Sequence, residues 1–438
     1  MIRLLLLLFM STALQLPAQV PFGHYAGAVS RDGSVQLVSV DLDTVGGKLA
    51  GTLDIPELMD YEIPIPPATW RHDTLVLWVN YGNFFCRYFP STDEITGISE
   101  GWQPKIRLHL KKADRQLPHF RREEITFRNK DVRLGGVLFI PLAKPAPPFA
   151  VLIHGSGEVD RNSDYYHSLG YALAEKGIGV LLYDKRGCGK SGGDWKTATM
   201  QDFANDAVAA LEFLKHESNA QFSSVGFLGT SQGGWITAIA ANRCSDCDFA
   251  ILNVGPSVSV FHQDVDRVRY SMLGDGLPES SIDSAVEYSK LYFRYATTTA
   301  RQDWETLRKE ADRLSGRSWI GYVNVPPNDS DFVWWRNNDY DPAGDLSKMR
   351  CPVLSIFGEK DVLVPPAENE TRMDSLLHLS GTPYTIKVIR SVGHDELTFQ
   401  GLNGSGWQWP AVYWQWRKRP REIVDTMVGW IARLRRGE

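Results

Sequence analysis

The sequence predicts an α/β protein with a mostly parallel sheet flanked by helices, preceded by a small all-β domain. From residue 149 to residue 254, short apolar runs suited to buried strands alternate with segments of helical spacing. Such alternation is typical of a parallel sheet with helices on both faces. Before residue 115, short apolar runs are separated by Gly, Asp, Pro and Asn, which is typical of antiparallel strands.

The N-terminal β domain is predicted to span residues 19–115. Its strands are predicted at 35–42, 48–53, 74–79, 84–89 and 106–110. In the last of these, apolar and polar residues alternate, as they do in a half-buried strand. We expect a small barrel or sandwich, and no chemically suggestive group of residues lies in it.

The second domain is predicted to span residues 122–438. A hairpin is expected first, over 124–127 and 132–139. The repeating elements that follow are strands at 149–153, 179–183, 225–228 and 249–254 and helices at 164–176, 200–216 and 233–242. Residues 257–345 interrupt this alternation of strands and helices, because they are predicted to be largely helical and are rich in aromatic residues. They are therefore predicted to form an inserted cap. The alternation resumes with an apolar run at 352–357, which is predicted to be a strand.

The N-terminus predicts a signal peptide over residues 1–18. Arg3 precedes the apolar run 4–10, and Ala18 supplies a small residue for cleavage. This run is too short to span a bilayer, and no cysteine follows the cleavage point for a lipid anchor. We therefore expect a secreted or periplasmic protein with no stable membrane insertion. A net charge of −5 gives no indication of nucleic-acid binding.

The five cysteines do not suggest a disulfide framework, because their number is odd. Cys244 and Cys247 form a C-x-x-C pair without the second pair that a tetrahedral zinc site needs. A local disulfide and two ordinary cysteines at a helix end both remain open. No metal or organic cofactor is predicted.

Residues 229–233 form the pattern G-x-S-x-G between a predicted strand and a predicted helix. Such a sharp strand-to-helix turn exposes its central serine and leaves room only for very small neighbours. Ser231 is therefore the candidate nucleophile, with the start of a helix behind its hydroxyl to favour negative charge.

A serine nucleophile needs a base, and the base needs an acid to orient it. Asp361 follows the strand at 352–357, which puts a carboxylate at the same sheet edge as Ser231; Glu359 is the nearby alternative. The stretch 352–366 resembles the acid loop of the α/β-hydrolase family. His394 follows the last predicted strand within a Gly-His pair, where the resemblance implies the catalytic histidine.

Two further loops carry the resemblance. His154-Gly155-Ser156-Gly157 follows the strand at 149–153, where the family has a loop that donates one oxyanion N–H. The resemblance implies Ser156 as this donor, with Gly155 or Gly157 as alternatives, and Gln232 as the second. The loop 184–191 resembles the family's D-x-R-G-x-G-x-S pattern and fails the P-loop pattern, so we expect it to support the oxyanion loop.

The resemblance covers roughly residues 122–438, with four motifs in the expected order. Within the family, the sequence is similar to the secreted bacterial carboxylesterases and serine-aminopeptidase-like hydrolases. This resemblance implies an α/β-hydrolase fold with a helical cap. Arg161 belongs to the same loop as Ser156; a salt bridge of this loop is the favoured interpretation, and binding of a substrate carboxylate is the alternative.

The predicted function is hydrolysis of carboxylic esters through a covalent acyl-enzyme on Ser231. Alternatives are an exopeptidase on short peptides, a thioesterase and a non-catalytic binding protein. An aminopeptidase would need an acid for the free amine, for which Glu279, Asp283 and Glu287 are candidates in the cap. Trp407 and Trp409 either line an acyl subsite or dock the final helix.

Overall fold

The computed structural model describes residues 20–46, 48–71, 74–79, 82–143, 145–298, 300–325, 332–398 and 417–434. The predicted signal peptide and both Trp407 and Trp409 lie outside these ranges. The chain forms two compact units. The first is formed by the described residues of Met1–Pro56 and Glu62–Arg115, and the second by the described residues of Glu57–Tyr61 and Gln116–Glu438. Within the described ranges, no helix is both long and apolar enough to cross a membrane.

A nine-stranded antiparallel sheet dominates the N-terminal part of the chain. In chain order its strands are β1 (Gly23–Arg31), β2 (Ser34–Val45), β3 (Lys48–Ile55), β4 (Asp60–Ile65), β5 (Thr69–Arg71), β6 (Thr74–Val79), β7 (Gly82–Phe89), β8 (Glu94–Ser99) and β9 (Arg107–Lys112). Their order in the sheet is β4-β3-β2-β1-β9-β8-β7-β6-β5. Burial alternates along β2, where Val38, Val40 and Leu42 are buried. One face of this strand therefore packs in a core.

An eight-stranded sheet forms the centre of the second unit. Its strands are β10 (Phe120–Asn129), β11 (Val132–Pro141), β12 (Phe149–Ile153), β13 (Gly179–Tyr183), β14 (Val225–Thr230), β15 (Ala250–Asn253), β16 (Val353–Gly358) and β17 (Tyr384–Ile389). The order is β10-β11-β13-β12-β14-β15-β16-β17. The pairs β10–β11 and β11–β13 are antiparallel, and every later pair is parallel. The predicted fold class is confirmed.

Helices cover both faces of this sheet, because its central strands are apolar on both sides. Val151 packs in a core with α2 (Met200–His216), α3 (Gln232–Arg243) and α9 (Pro366–Ser380). Its neighbour Leu152 packs in a second core with α1 (Asp164–Glu175) and the last described helix, α10 (Glu422–Leu434). Successive side chains of a strand point to opposite faces, so one continuous apolar run serves both layers.

The segment between β15 and β16 forms the helical cap. Its helices are α4 (Val260–Gly274), α5 (Glu279–Thr298), α6 (Arg301–Leu314), α7 (Val333–Asn337) and α8 (Ala343–Leu346), with a 3₁₀ turn at Ile320–Tyr322. Buried aromatics fill its interior; among them Tyr292 lies 4.6 Å from Phe332, ring centroid to ring centroid. Much of the aromatic content noted in the sequence therefore forms the core of the cap.

The short segment Glu57–Tyr61 belongs to the second unit although its neighbours in sequence belong to the first. The Tyr61 ring stacks on Tyr171 with 4.5 Å between ring centroids, and the Tyr61 N–H donates to Ser168 Oγ at 2.9 Å. Arg419 donates to an oxygen of Asp60 at 3.0 Å. These contacts integrate the segment with α1 and with the chain that leads into α10.

All five cysteines are buried free thiols. The C-x-x-C pair of Cys244 and Cys247 forms no local disulfide. Instead, the Cys247 sulfur lies 3.8 Å from the Cys351 sulfur.

Candidate active site

Ser231 occupies the sharp turn between β14 and α3. Its φ of 57° and ψ of −122° lie in a region that non-glycine residues rarely adopt. A Cβ on Gly229 would lie 2.0 Å from the Gly233 carbonyl oxygen, and one on Gly233 would lie 2.4 Å from the Ile153 carbonyl oxygen. The two flanking glycines therefore let the strand, the turn and the helix approach closely enough to hold this conformation.

Three loops at the carboxyl ends of the parallel strands bring Ser231, His394 and Asp361 together. His394 Nε2 lies 2.9 Å from Ser231 Oγ, and His394 Nδ1 lies 2.8 Å from Asp361 Oδ2. The other oxygen, Asp361 Oδ1, accepts the N–H groups of Leu363 and Val364 at 2.8 Å each. An ionised carboxylate only accepts, so Nδ1 carries the imidazole proton and Nε2 can accept from the serine hydroxyl.

Glu359, the alternative acid, takes a different role. Its Oε2 accepts the Ser391 N–H at 2.9 Å. This contact ties the acid loop to the loop that carries His394. The imidazole itself contacts Asp361.

The backbone around Ser156 and Gln232 lies beside the nucleophile. Ser156, Gly157 and Gln232 line the same cavity as Ser231 and His394. Gln232 is the first residue of α3, where backbone N–H groups have no partner within the helix. The Gly155 N–H already donates to the Tyr166 hydroxyl at 2.5 Å, which leaves Ser156 and Gly157 as the alternatives for the first donor.

The loop at 184–191 is hydrogen-bonded to the oxyanion loop, residues 154–157. The Lys185 ammonium donates to the carbonyl oxygens of Gly155 and Gly157 at 2.5 and 2.7 Å. Burial lowers the pKa of Lys185 to about 8. His154, at the start of the oxyanion loop, is also buried, and this burial lowers its pKa to about 3, so it stays neutral and structural.

Replacing Lys185 with methionine is expected to lower kcat for the ester hydrolysis predicted from the sequence by about 10- to 100-fold, because the oxyanion loop loses two charge-assisted hydrogen bonds. Steady-state kinetics on a soluble p-nitrophenyl ester measures this. Lys190→Met is the matched control, because that side chain lies on the same loop but is 72% exposed. Equal rates in both variants would show that Lys185 does not position the loop.

Arg161 is not among the described residues that line the cavity over Ser231, so it does not take the role in substrate binding that was considered for it. Its guanidinium is buried and donates to Asp184 Oδ1 and Oδ2 at 2.9 and 2.7 Å and to Glu124 at 2.6 Å. A bidentate pair of this kind occupies the donors that a substrate carboxylate would need. The structure thus contains a salt bridge, as the favoured interpretation expected, although its partners Asp184 and Glu124 lie outside the loop that carries Arg161.

A cavity of about 410 Å³ opens over Ser231 and His394. Four tryptophans line it: Trp195, Trp235, Trp334 and Trp335. Trp195 and Trp235 received no role from the sequence. Trp235 could have been noticed, because it follows the nucleophile by four residues on α3. Trp407 and Trp409, for which an acyl subsite and docking of the final helix were both considered, lie outside the described residues.

Sequence reasoning also missed Glu396, which lies two residues after His394. This side chain is 2% exposed and accepts from the Asn253 amide, while Arg419 Nε lies 3.8 Å from its Oε2. The Asn253 carbonyl oxygen accepts the Ser231 N–H at 3.0 Å. Burial raises the pKa of Glu396, and the charge of Arg419 opposes this shift. The network joins the histidine loop to the backbone of the nucleophile.

Comparison with known proteins places this site in context. Residues 146–307 match the family described as serine aminopeptidase, S33. The chain is 24% identical over 337 residues to the esterase EstD of Thermotoga maritima, covering 74% of this chain and 71% of that protein.

A shorter match, 30% identical over 128 residues, is to the uncharacterized protein YfhR of Salmonella typhi, covering 28% of this chain and 42% of that protein. A proline iminopeptidase structure from Mycobacterium smegmatis is 17% identical, with a TM-score of 0.46, covering 71% of this chain and 98% of that one.

Proposed function

Because the chain belongs to the α/β-hydrolase superfamily, we propose that it cleaves carboxylic esters with Ser231, His394 and Asp361 as a catalytic triad. The single observation that carries this proposal is the line of contacts from Ser231 Oγ to His394 Nε2 at 2.9 Å and from His394 Nδ1 to Asp361 Oδ2 at 2.8 Å. These contacts give the serine a base in reach and give the base an orienting acid.

The reaction proceeds through a covalent acyl-enzyme. His394 Nε2 takes the hydroxyl proton as Ser231 Oγ attacks the ester carbonyl carbon, and the oxyanion is stabilised by the N–H groups of Ser156 and Gln232. His394 then protonates the departing alkoxide as the carbon–oxygen bond breaks. Water attacks the acyl carbon in the second half, His394 accepts its proton, and that proton returns to Ser231 as the acid leaves.

The lining of the cavity favours an ester with an apolar or aromatic group. Its four tryptophans offer flat apolar walls on which such a group can pack. Among the described residues that line the cavity, Asp264 is the one acidic residue, and both of its carboxylate oxygens already accept hydrogen bonds. Arg267 donates to it at 2.8 Å and Asn324 at 3.0 Å.

An aminopeptidase is the second candidate, since the matching family is described as serine aminopeptidase. Such an enzyme needs an acid for the free amine of the substrate. Glu279 and Asp283, two of the cap acids considered above, are exposed and lie near Arg269, and Glu287 is exposed and pairs with Lys290. Asp264 could bind an amine only by releasing its present partners, so the ester is the better supported substrate.

The test measures hydrolysis of p-nitrophenyl acetate and butyrate beside alanyl-, leucyl- and prolyl-p-nitroanilide. Wild type and Ser231→Ala are assayed together, and labelling of Ser231 by a fluorophosphonate probe is followed by mass spectrometry. We expect ester turnover that disappears in Ser231→Ala, with little anilide turnover.

Anilide turnover with kcat/KM above that for the esters would instead favour the peptidase. Absence of both activities together with absence of labelling at Ser231 would overturn the triad. Labelling without turnover would overturn the choice of simple esters as substrates but keep the nucleophile.

A further inference from the structure

A cluster of three side chains outside the catalytic cavity joins the cap to the α/β core. His262 and Asp266 lie one turn apart on α4, so they share one face of that helix. Glu368 lies in the first turn of α9. The candidate ligand atoms of these three residues all lie within 4.8 Å of one another, and the residues themselves do not line the cavity over Ser231.

Asp266 is the residue that singles out this cluster. It is 6% exposed, and among the described residues its Oδ2 has no hydrogen-bond partner. Its Oδ1 lies 3.6 Å from His262 Nε2. A carboxylate that is buried without a strong partner is costly, so it needs either a proton or a cation.

Among the described residues, the titratable groups that face Asp266 are His262, Glu368 and Arg269. Arg269, on the same helix, also lies 3.5 Å from Glu279 and 4.0 Å from Asp283. Two carboxylates and one imidazole thus lie together at this place.

We propose that His262, Asp266 and Glu368 bind a divalent transition-metal cation, of which Zn²⁺ is the best match. An imidazole nitrogen with two carboxylate oxygens is a ligand set that zinc accepts, with water completing a tetrahedron. Two carboxylates balance the charge of the cation. The Tyr270 hydroxyl donates to Glu368 Oε1 at 3.0 Å, which orients that carboxylate as outer partners of metal ligands do.

The position of the site gives the cation a structural role. His262 and Asp266 belong to the first helix of the cap, and Glu368 follows Asp361 by seven residues. The same two segments are already joined by a hydrogen bond, which Gln263 of α4 donates to the Leu363 carbonyl oxygen at 2.7 Å. Both of these residues line the catalytic cavity. A cation here fastens one wall of the cavity to the helix that follows the acid loop. The site does not depend on which substrate Ser231 attacks.

The test uses the full-length protein, stripped with a chelator, dialysed and titrated with ZnCl₂. Calorimetry is expected to show one Zn²⁺ bound per chain at this site with low-micromolar or tighter affinity. Excess zinc is expected to raise Tm by at least about 3 °C, because a ligand that binds only the folded state stabilises it. A matched titration with MgCl₂ is expected to leave Tm unchanged, because an imidazole ligand disfavours magnesium.

Variants separate this site from adventitious binding. Glu368→Gln is expected to weaken zinc binding by about 100-fold or more, and Tyr270→Phe by about 10-fold. Glu370→Gln, an exposed neighbour on α9, and His378→Ala, an exposed histidine on the same helix, should bind as wild type does. The Glu368 side chain is exposed, so Glu368→Gln should fold normally, which the unfolding transition in chelator checks. Equal zinc binding by wild type and Glu368→Gln, or no binding at all, would overturn the proposal.

Discussion

An Asp361→Asn variant is expected to fold normally and to hydrolyse esters with a kcat about 10⁴-fold below that of wild type. The reason lies in how the carboxylate is held. Oδ1 accepts two backbone N–H groups, from Leu363 and Val364, and the asparagine oxygen can keep both bonds. The asparagine NH₂ then replaces Oδ2 against His394 Nδ1. Because this group donates, Nδ1 must accept, the imidazole proton moves to Nε2, and Nε2 can no longer take the Ser231 proton.

Stopped-flow or steady-state kinetics with p-nitrophenyl butyrate measures this effect, with circular dichroism and Tm to verify folding. Glu359→Gln is the matched control, because a glutamine oxygen at that position can still accept the Ser391 N–H. We expect near-wild-type rates for this control. A large loss in Glu359→Gln together with a small loss in Asp361→Asn would transfer the role of the acid to Glu359.

The second large effect concerns the fold around the nucleophile. Gly229→Ala is expected to lower the free energy of unfolding by about 4 kcal/mol or more and Tm by roughly 10 °C. The new Cβ would lie 2.0 Å from the Gly233 carbonyl oxygen and 2.3 Å from Thr237 Oγ1. Since Thr237 is fully buried and the carbonyl belongs to the helix backbone, relief requires α3 to move away from β14.

Denaturation in urea with calorimetry on the same samples gives both quantities. Gly344→Ala provides the control, because that glycine lies in α8 with nothing within 4 Å of the added Cβ. It is expected to change the free energy of unfolding by less than about 1 kcal/mol, in the stabilising direction. A Gly229→Ala protein with wild-type Tm and wild-type ester turnover would show that the close approach of α3 to β14 is dispensable.

The fold class and the positions of the candidate triad could be predicted from the sequence, because both depend on short stretches of neighbouring residues. Ser231, Asp361 and His394 each follow an apolar strand directly or within a short turn. Parallel strands bring such turns to one edge of a sheet, so the proximity of distant residues follows from topology alone.

Features that depend on long-range contacts were not predictable from the sequence. Strand β1 contains Gly23 and Gly27 and has no strong alternation, yet it pairs with β2 on one side and β9 on the other. The role of Arg161 depends on Asp184, and that of Glu396 depends on Asn253. In each case the partner lies on another strand or loop, and no spacing along the chain indicates the pairing.

The placement of Glu57–Tyr61 bears on how such a protein can change during evolution. The N-terminal β region and the second unit are not separate blocks of sequence, because the five residues Glu57–Tyr61 lie within that region of the chain and yet belong to the second unit. A deletion of everything before Gln116 would take Asp60 from Arg419 and Tyr61 from Tyr171. Gene rearrangements that add or remove this region as one block would therefore also have to replace those contacts, so the two regions are expected to be inherited together.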